Sequence, residues 1–104
     1  MSKQVRDTST QKTITLSAGV VAPLWTLALP LNLTLATDED GWNVLTDDVF
    51  QVYGDGETLE DARCDYIASL IEYYRMVERD ATDGDESAHS EFDRMRSYLR
   101  PVAR

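Results

Sequence analysis

Between Trp25 and Leu35 every second residue is large and apolar (Trp25, Leu27, Leu29, Leu31, Leu33, Leu35), and Thr26, Ala28, Pro30, Asn32 and Thr34 stand between them. A period of two is that of a strand with one buried face. Pro30 cannot donate to a ladder, so the run predicts either one long edge strand or two short strands meeting there. Upstream, Lys12–Leu16 predicts a short strand with Ile14 and Leu16 on one face, and Ala18–Pro23 reads as a loop. Downstream, Asp38-Glu39-Asp40-Gly41 reads as a turn, Trp42–Leu45 returns antiparallel to Asn32–Ala36, Asp47-Asp48 turns again, and Phe50–Tyr53 adds another strand.

The period then changes. Leu59, Ala62, Tyr66, Ile67, Leu70, Ile71, Tyr74 and Val77 recur at spacings of three and four, which predicts an amphipathic helix over Leu59–Glu78. Thr58 is placed to cap it, Asp61 occupies the capping-box position, and Gly54 and Gly56 supply the permissive backbone of a tight strand-to-helix turn. Asp80–Glu86 reads as an acidic linker. A last helix is expected from Ser90, with Ser90 and Asp93 as a second capping box, Phe92, Met95 and Leu99 as its stripe, and Pro101 as its stop. Strands first and helices after predict an α+β fold: an antiparallel three- to four-stranded sheet packed by one long helix, plus a short C-terminal helix. The expected division is a disordered start over residues 1–11, a domain over 12–79, a linker over 80–87 and a C-terminal helix and tail over 88–104.

A chain of 104 residues, 42% hydrophobic, is long enough to fold around one core without disulfides or metal. Its single cysteine, Cys64, has no partner for an internal disulfide, and with no cleavable leader this leads us to expect a reducing, cytoplasmic setting. Thr13–Thr37 carries no charge, yet Pro23, Pro30, Asn32 and its strand period make it unfit to span a membrane as a helix. The net charge of -9 is concentrated: sixteen carboxylates against three arginines lie between Thr37 and Glu86, and both flanks are weakly basic. Such a middle repels phosphate and attracts cationic partners.

Candidate chemistry is sparse. His89, the one histidine, neighbours Ser87 and Ser90, but residues adjacent in sequence at a helix start do not make a nucleophile and base, and no nucleophile elbow accompanies them. Asp38, Asp40 and Gly41 resemble the start of a calcium loop whose third acidic position falls on Trp42, and Asp83-Gly84-Asp85 is equally incomplete; no metal or other cofactor is expected. Gly54 and Gly56 before a helix would suit a phosphate, except that Asp55, Glu57, Glu60 and Asp61 crowd the same helix start. Trp25, Trp42, Tyr53, Tyr66, Tyr73 and Tyr74 lack the basic surround that nucleic-acid stacking requires. Basic contacts are confined to Arg94, Arg96, Arg100 and Arg104, which suit a salt bridge to the domain's own acids, a partner or nucleic acid. An acid-based hydrolase using Asp38, Asp40, Asp47 or Asp48 ranks last, since carboxylates in solvated turns have no cause for shifted pKa values.

Three segments, Asp40-Gly41-Trp42-Asn43-Val44, Tyr53-Gly54-Asp55-Gly56-Glu57-Thr58-Leu59-Glu60-Asp61-Ala62 and Ser69-Leu70-Ile71-Glu72-Tyr73-Tyr74, resemble the HicB-like antitoxins of bacterial toxin-antitoxin modules. The likeness covers roughly residues 31 to 78, and its most specific part is similar to the family's Gly-x-Thr-x-x-Glu-Ala signature, with Asp61 where glutamate is usual. The resemblance implies a sheet packed by one helix, like part of a double-stranded-RNA-binding domain. It also implies a protein that masks a small toxin ribonuclease, often as a dimer or tetramer. Many members carry a DNA-binding element as well; too few residues follow the linker here for a helix-turn-helix, so DNA binding is not expected.

The resulting expectation is a non-catalytic, antitoxin-like interaction protein that binds a basic partner through an acidic surface of Asp38, Asp40, Asp47, Asp48, Asp55 and Glu57, with Arg94, Arg96 and Arg100 as further contacts to a partner or to nucleic acid. The alternative is a stand-alone homo-oligomeric module, a homodimer or higher, built from an exposed edge among the odd-position leucines and from Tyr73 and Tyr74.

Overall fold

The computed structural model describes residues 10–102 of the chain, so most of the polar start, and Arg104, lie outside the described residues. The fold is α+β. Strands β1 (Thr10–Leu16), β4 (Leu31–Thr37), β5 (Asn43–Asp47) and β6 (Tyr53–Gly56) form a four-stranded antiparallel sheet in the order β1-β4-β5-β6. Helix α1 (Leu59–Thr82) packs on one face of it. Strands β2 (Gly19–Ala22), β3 (Trp25–Leu27) and β7 (Leu99–Pro101) form a second, three-stranded sheet, and α2 (Glu86–Tyr98) connects α1 to β7.

The alternating leucines divide as two short strands, and the break at Ala28–Pro30 sends them into different sheets. Leu31, Leu33 and Leu35 of β4 lie opposite Leu16, Ile14 and Lys12 of β1, while Leu35 also lies opposite Leu45 of β5. Their inward faces meet Ala62, Tyr66, Ile67 and Leu70 of α1, all buried. Leu59, expected on that stripe, is instead 44% exposed, because it begins the helix beyond the sheet. Thr58 caps α1 as expected, its hydroxyl accepting from the Asp61 amide at 3.0 Å.

Several boundaries differ from expectation, for identifiable reasons. The expected loop at Ala18–Pro23 contains β2, which forms a hairpin with β3 through Pro23 and Leu24; a register shift at Val21 interrupts the pairing and with it the strand period that would have marked β2 in the sequence. The strand expected at Phe50–Tyr53 begins only at Tyr53, because Val49, Phe50, Gln51 and Val52 turn their amides onto the Asp47 carboxylate. Gly54 and Gly56, read as turn residues, lie within β6. Their role is steric: a Cβ on Gly54 would stand 2.1 Å from the Tyr66 backbone nitrogen, so α1 crosses β6 closer than any side chain permits.

The expected linker is mostly helix. α1 continues to Thr82, Gly84 (φ 97°) makes the turn, and Asp85, not Ser90, caps α2 by accepting from the Ala88 amide at 3.1 Å. Ser90 is an exposed residue within the helix. Nor does Pro101 stop α2: the helix ends at Tyr98 because Leu99, fully buried, is drawn into pairing with Leu27. Aromatic edges tie this C-terminal segment to the rest, with Tyr74 against both Trp25 (centroids 5.0 Å) and Phe92 (5.2 Å), and Phe50 against Tyr98 (5.4 Å).

Candidate protein-interaction surface

The register of the four-stranded sheet decides which carboxylates meet. Thr37 lies opposite Asn43, and Asn43 opposite Gly56, so the β4–β5 turn and the β6–α1 junction occupy the same end of the sheet. Asp38 builds the turn: its Oδ1 accepts the amides of Asp40 and Trp42, both at 2.9 Å, and Gly41 takes φ 86°. Asn43, 8% exposed, joins turn to junction. Its Nδ2 donates to the carbonyls of Gly41 (3.2 Å), Gly56 (3.4 Å) and Glu57 (3.1 Å), and its Oδ1 accepts from the Thr37 hydroxyl at 2.9 Å. Trp42 adds a third tie, donating from Nε1 to Asp55 Oδ2 at 3.1 Å.

Asp38, Asp40, Asp55 and Glu57 are thereby gathered at one end, with Glu60 and Asp61 of the first turn of α1 beside them, all exposed. Two apolar side chains stand among them half uncovered, Trp42 at 42% and Leu59 at 44%. Anions at a helix N-terminus are stabilised by the helix dipole, so this concentration of charge is compatible with the fold. The element that carries it was missed in the sequence. Asn43 shares a strand face with Leu45, and a polar residue on a buried face was the available signal.

Asp47 and Asp48 do not belong to this surface. They lie at the opposite end of β5, where Asp47 faces Leu33 and is only 2% exposed. Asp47 Oδ1 accepts the amides of Val49, Phe50 and Gln51, and Oδ2 accepts the Val52 amide and, at 2.8 Å, the hydroxyl of Tyr66. It is a structural acceptor, buried because five donors replace its water. Burial first, then the negative charge and hydrogen bond of Asp47, raise the Tyr66 phenol well above its ordinary range.

The arginines separate in the same way. Arg94 is held within the molecule, its Nε and Nη2 donating to Glu91 Oε1 at 3.0 and 2.8 Å and its guanidinium over the Phe50 ring at 5.0 Å. Arg96 lies over Phe92, and Arg100 Nε donates to the Arg96 carbonyl at 2.9 Å; neither pairs with a carboxylate among the described residues. Together they line a shallow groove of about 390 Å³ with Tyr74, Glu78 and Pro101. The proposed oligomer contacts are corrected too: the leucines of β4 are interior, Tyr74 is 5% exposed, and Tyr73 donates its hydroxyl to Glu91 at 2.5 Å.

A groove of about 760 Å³ runs between β6 and α1 past Val52, Tyr53, Asp65, Met76 and Arg79, and gathers both signs of charge. His89 is exposed on α2, its Nδ1 3.9 Å from Asp93 of the same helix. Cys64 is exposed on α1, its thiol raised above the ordinary value by local desolvation and by Glu60, which accepts from Sγ at 3.6 Å. Among the described residues no group of three or more His, Cys, Asp or Glu is placed to hold a metal ion, and no helix is long and apolar enough to cross a membrane. No family model, curated protein or solved structure matches the chain.

Proposed function

We propose that the chain is a non-catalytic, antitoxin-like interaction protein of the cytoplasm that binds and neutralises a basic protein partner, most simply a small toxin ribonuclease. The observation that carries this reading is the convergence of Asp38, Asp40, Asp55 and Glu57 around the half-exposed Trp42, on a turn braced by Asn43. Carboxylates steer a cationic surface into encounter, while a partly exposed tryptophan supplies the apolar anchor typical of binding hot spots. A ribonuclease presents lysines and arginines where RNA phosphates lie, so a rigid set of carboxylates competes for the same groups. Arg96 and Arg100 remain available for an acidic stretch of the same partner.

The test is isolation of the protein with its partner from the native host, followed by salt titration of the complex. A small basic protein is expected, released as salt rises, inhibited as a ribonuclease when bound, and bound more weakly by an Asp40→Lys, Glu57→Lys variant. Among the described residues the side chains of Asp40 and Glu57 make no hydrogen bond or ion pair, so this variant changes charge without removing a bond seen in the fold. Absence of any basic partner, or a complex indifferent to salt and to both reversals, defeats the reading.

A further inference from the structure

β6 is an outer strand of the four-stranded sheet, and its register decides which way its backbone points. Leu45 lies opposite Gly54, and the Asp47 amide donates to the Val52 carbonyl at 3.2 Å, so Val52 and Gly54 turn their polar groups toward β5. Tyr53 and Asp55 alternate with them and turn theirs outward. The Asp55 amide is occupied by Asp65 Oδ2 at 2.9 Å. The Tyr53 amide and carbonyl have no partner among the described residues, and Tyr53 lines the groove between β6 and α1. The other wall of that groove is one side of α1, with Asp65, Glu72, Tyr73, Met76 and Arg79 in helical succession. Tyr53 is 65% and Met76 42% exposed, and neither Glu72 nor Arg79 makes an ion pair among the described residues.

We infer that this groove binds an extended peptide segment of a partner protein, added antiparallel to β6 through the Tyr53 backbone, with a basic side chain toward Asp65 and Glu72, an apolar one over Tyr73 and Met76, and an acidic one toward Arg79. The backbone selects the kind of occupant. A free amide and a free carbonyl on one strand residue are matched together by the backbone of a second extended chain, and a helix beside the strand edge supplies contacts for its alternate side chains. Charge selects the sequence and its direction. Gly56 meets Asp61 and Ala62 while Gly54 meets Tyr66, so α1 runs back along β6, and a chain antiparallel to β6 runs with α1. Such a chain passes Asp65 first and Arg79 last. At about 1.5 Å per residue of helix, the midpoint between Asp65 and Glu72 is about 16 Å from Arg79. Four steps of extended chain cover about 13 Å, and the length of a lysine or arginine side chain covers the rest. Base, apolar residue and acid at alternate positions therefore all face α1, and the opposite order sets like charges together. The site uses no side chain of Asp38, Asp40, Asp55 or Glu57, and it is independent of whether a basic protein binds at the acidic end.

Titration of the isotope-labelled full chain with the blocked peptide acetyl-Thr-Lys-Thr-Leu-Thr-Glu-Thr-amide, followed by amide chemical shifts, tests it. Shifts are expected at Tyr53, Glu72, Met76 and Arg79, with about tenfold weaker binding of the peptide in which lysine and glutamate exchange places. In a Glu72→Lys, Arg79→Glu protein that preference is expected to reverse, a result that loss of folding cannot produce. A second test is specific to the strand edge. N-methylation at the third and fifth residues of the peptide, whose amides face β6, is expected to abolish binding, and N-methylation at the fourth, whose amide faces away, to leave it within about twofold. Equal binding of the two peptides, equal loss from methylation on either edge, or no shift at Tyr53 with millimolar peptide overturns the inference. So do shifts of these amides on dilution of the protein alone, which would make a second copy the occupant, and Overhauser contacts from residues 1–9 into the groove of the free protein, which would make it the chain's own start.

Discussion

A methyl group added at Gly54 would meet the Tyr66 backbone at 2.1 Å, and helix backbone cannot yield as a flexible side chain does. Gly54→Ala is therefore expected to destabilise the protein by about 3 kcal/mol or more, at the upper end of overpacking effects and well above what alanine gains in the unfolded chain. A lowered denaturant midpoint reads it. Asp47→Ala is expected to cost about 3 kcal/mol or more as well, since it orphans four amides and the Tyr66 hydroxyl, whereas Asp48→Ala, exposed one residue on, stays near wild type. Thermal denaturation of the pair distinguishes them. At this scale the sequence was only half legible. That Gly54 and Gly56 were constrained was readable, but the reason, a helix crossing rather than a turn, depends on atoms of a distant segment. Asp47 has the strand parity of Leu45, which pointed inward, but an acid beside Asp48 reads as surface because a buried carboxylate needs donors that the local sequence does not announce.

At the scale of elements, α1 and α2 are tied by the Tyr73 hydroxyl on Glu91 and by Tyr74 against Phe92. Burial, and then the bond to Glu91, push the Tyr73 phenol up to about 12 from an ordinary value of 10.0, and Tyr66 and Tyr74 are raised as well. Unfolded tyrosines ionise first as pH rises, so the unfolded state sheds protons that the folded state keeps. Stability from these phenols is thus present in full below pH 10 and falls as pH rises toward 12. Urea denaturation at stepped alkaline pH, with tyrosinate absorbance followed in parallel, is expected to show this decline, and Tyr73→Phe to make it shallower. Both helices and the strands β1, β4 and β5 follow from hydrophobic period. β2 does not, because it is four residues long and a bulge at Val21 breaks its alternation, and β7 does not, because its partner β3 lies seventy or more residues away in the chain.

For the molecule as a whole, the net charge of -9 sits mainly on α1, its approach and the β4–β5 turn. Self-repulsion of that kind is screened by salt, so the thermal midpoint is expected to rise between low and physiological ionic strength, and to rise less in the Asp40→Lys, Glu57→Lys variant. Scanning calorimetry at matched pH measures it. Of the six carboxylates expected to form one surface, four converge and two are removed by the length of β5, which sets its turns at opposite ends of the sheet. By itself the sequence determined the α+β class, the strand and helix periods, the Thr58 cap and the acidic middle, because these depend on spacing and composition along a few neighbouring residues. Only tertiary structure decided the second sheet, the burial of Asp47, the steric need for Gly54 and the grouping of Asp38, Asp40, Asp55 and Glu57 around Trp42, because each depends on contact between segments that chain order leaves apart.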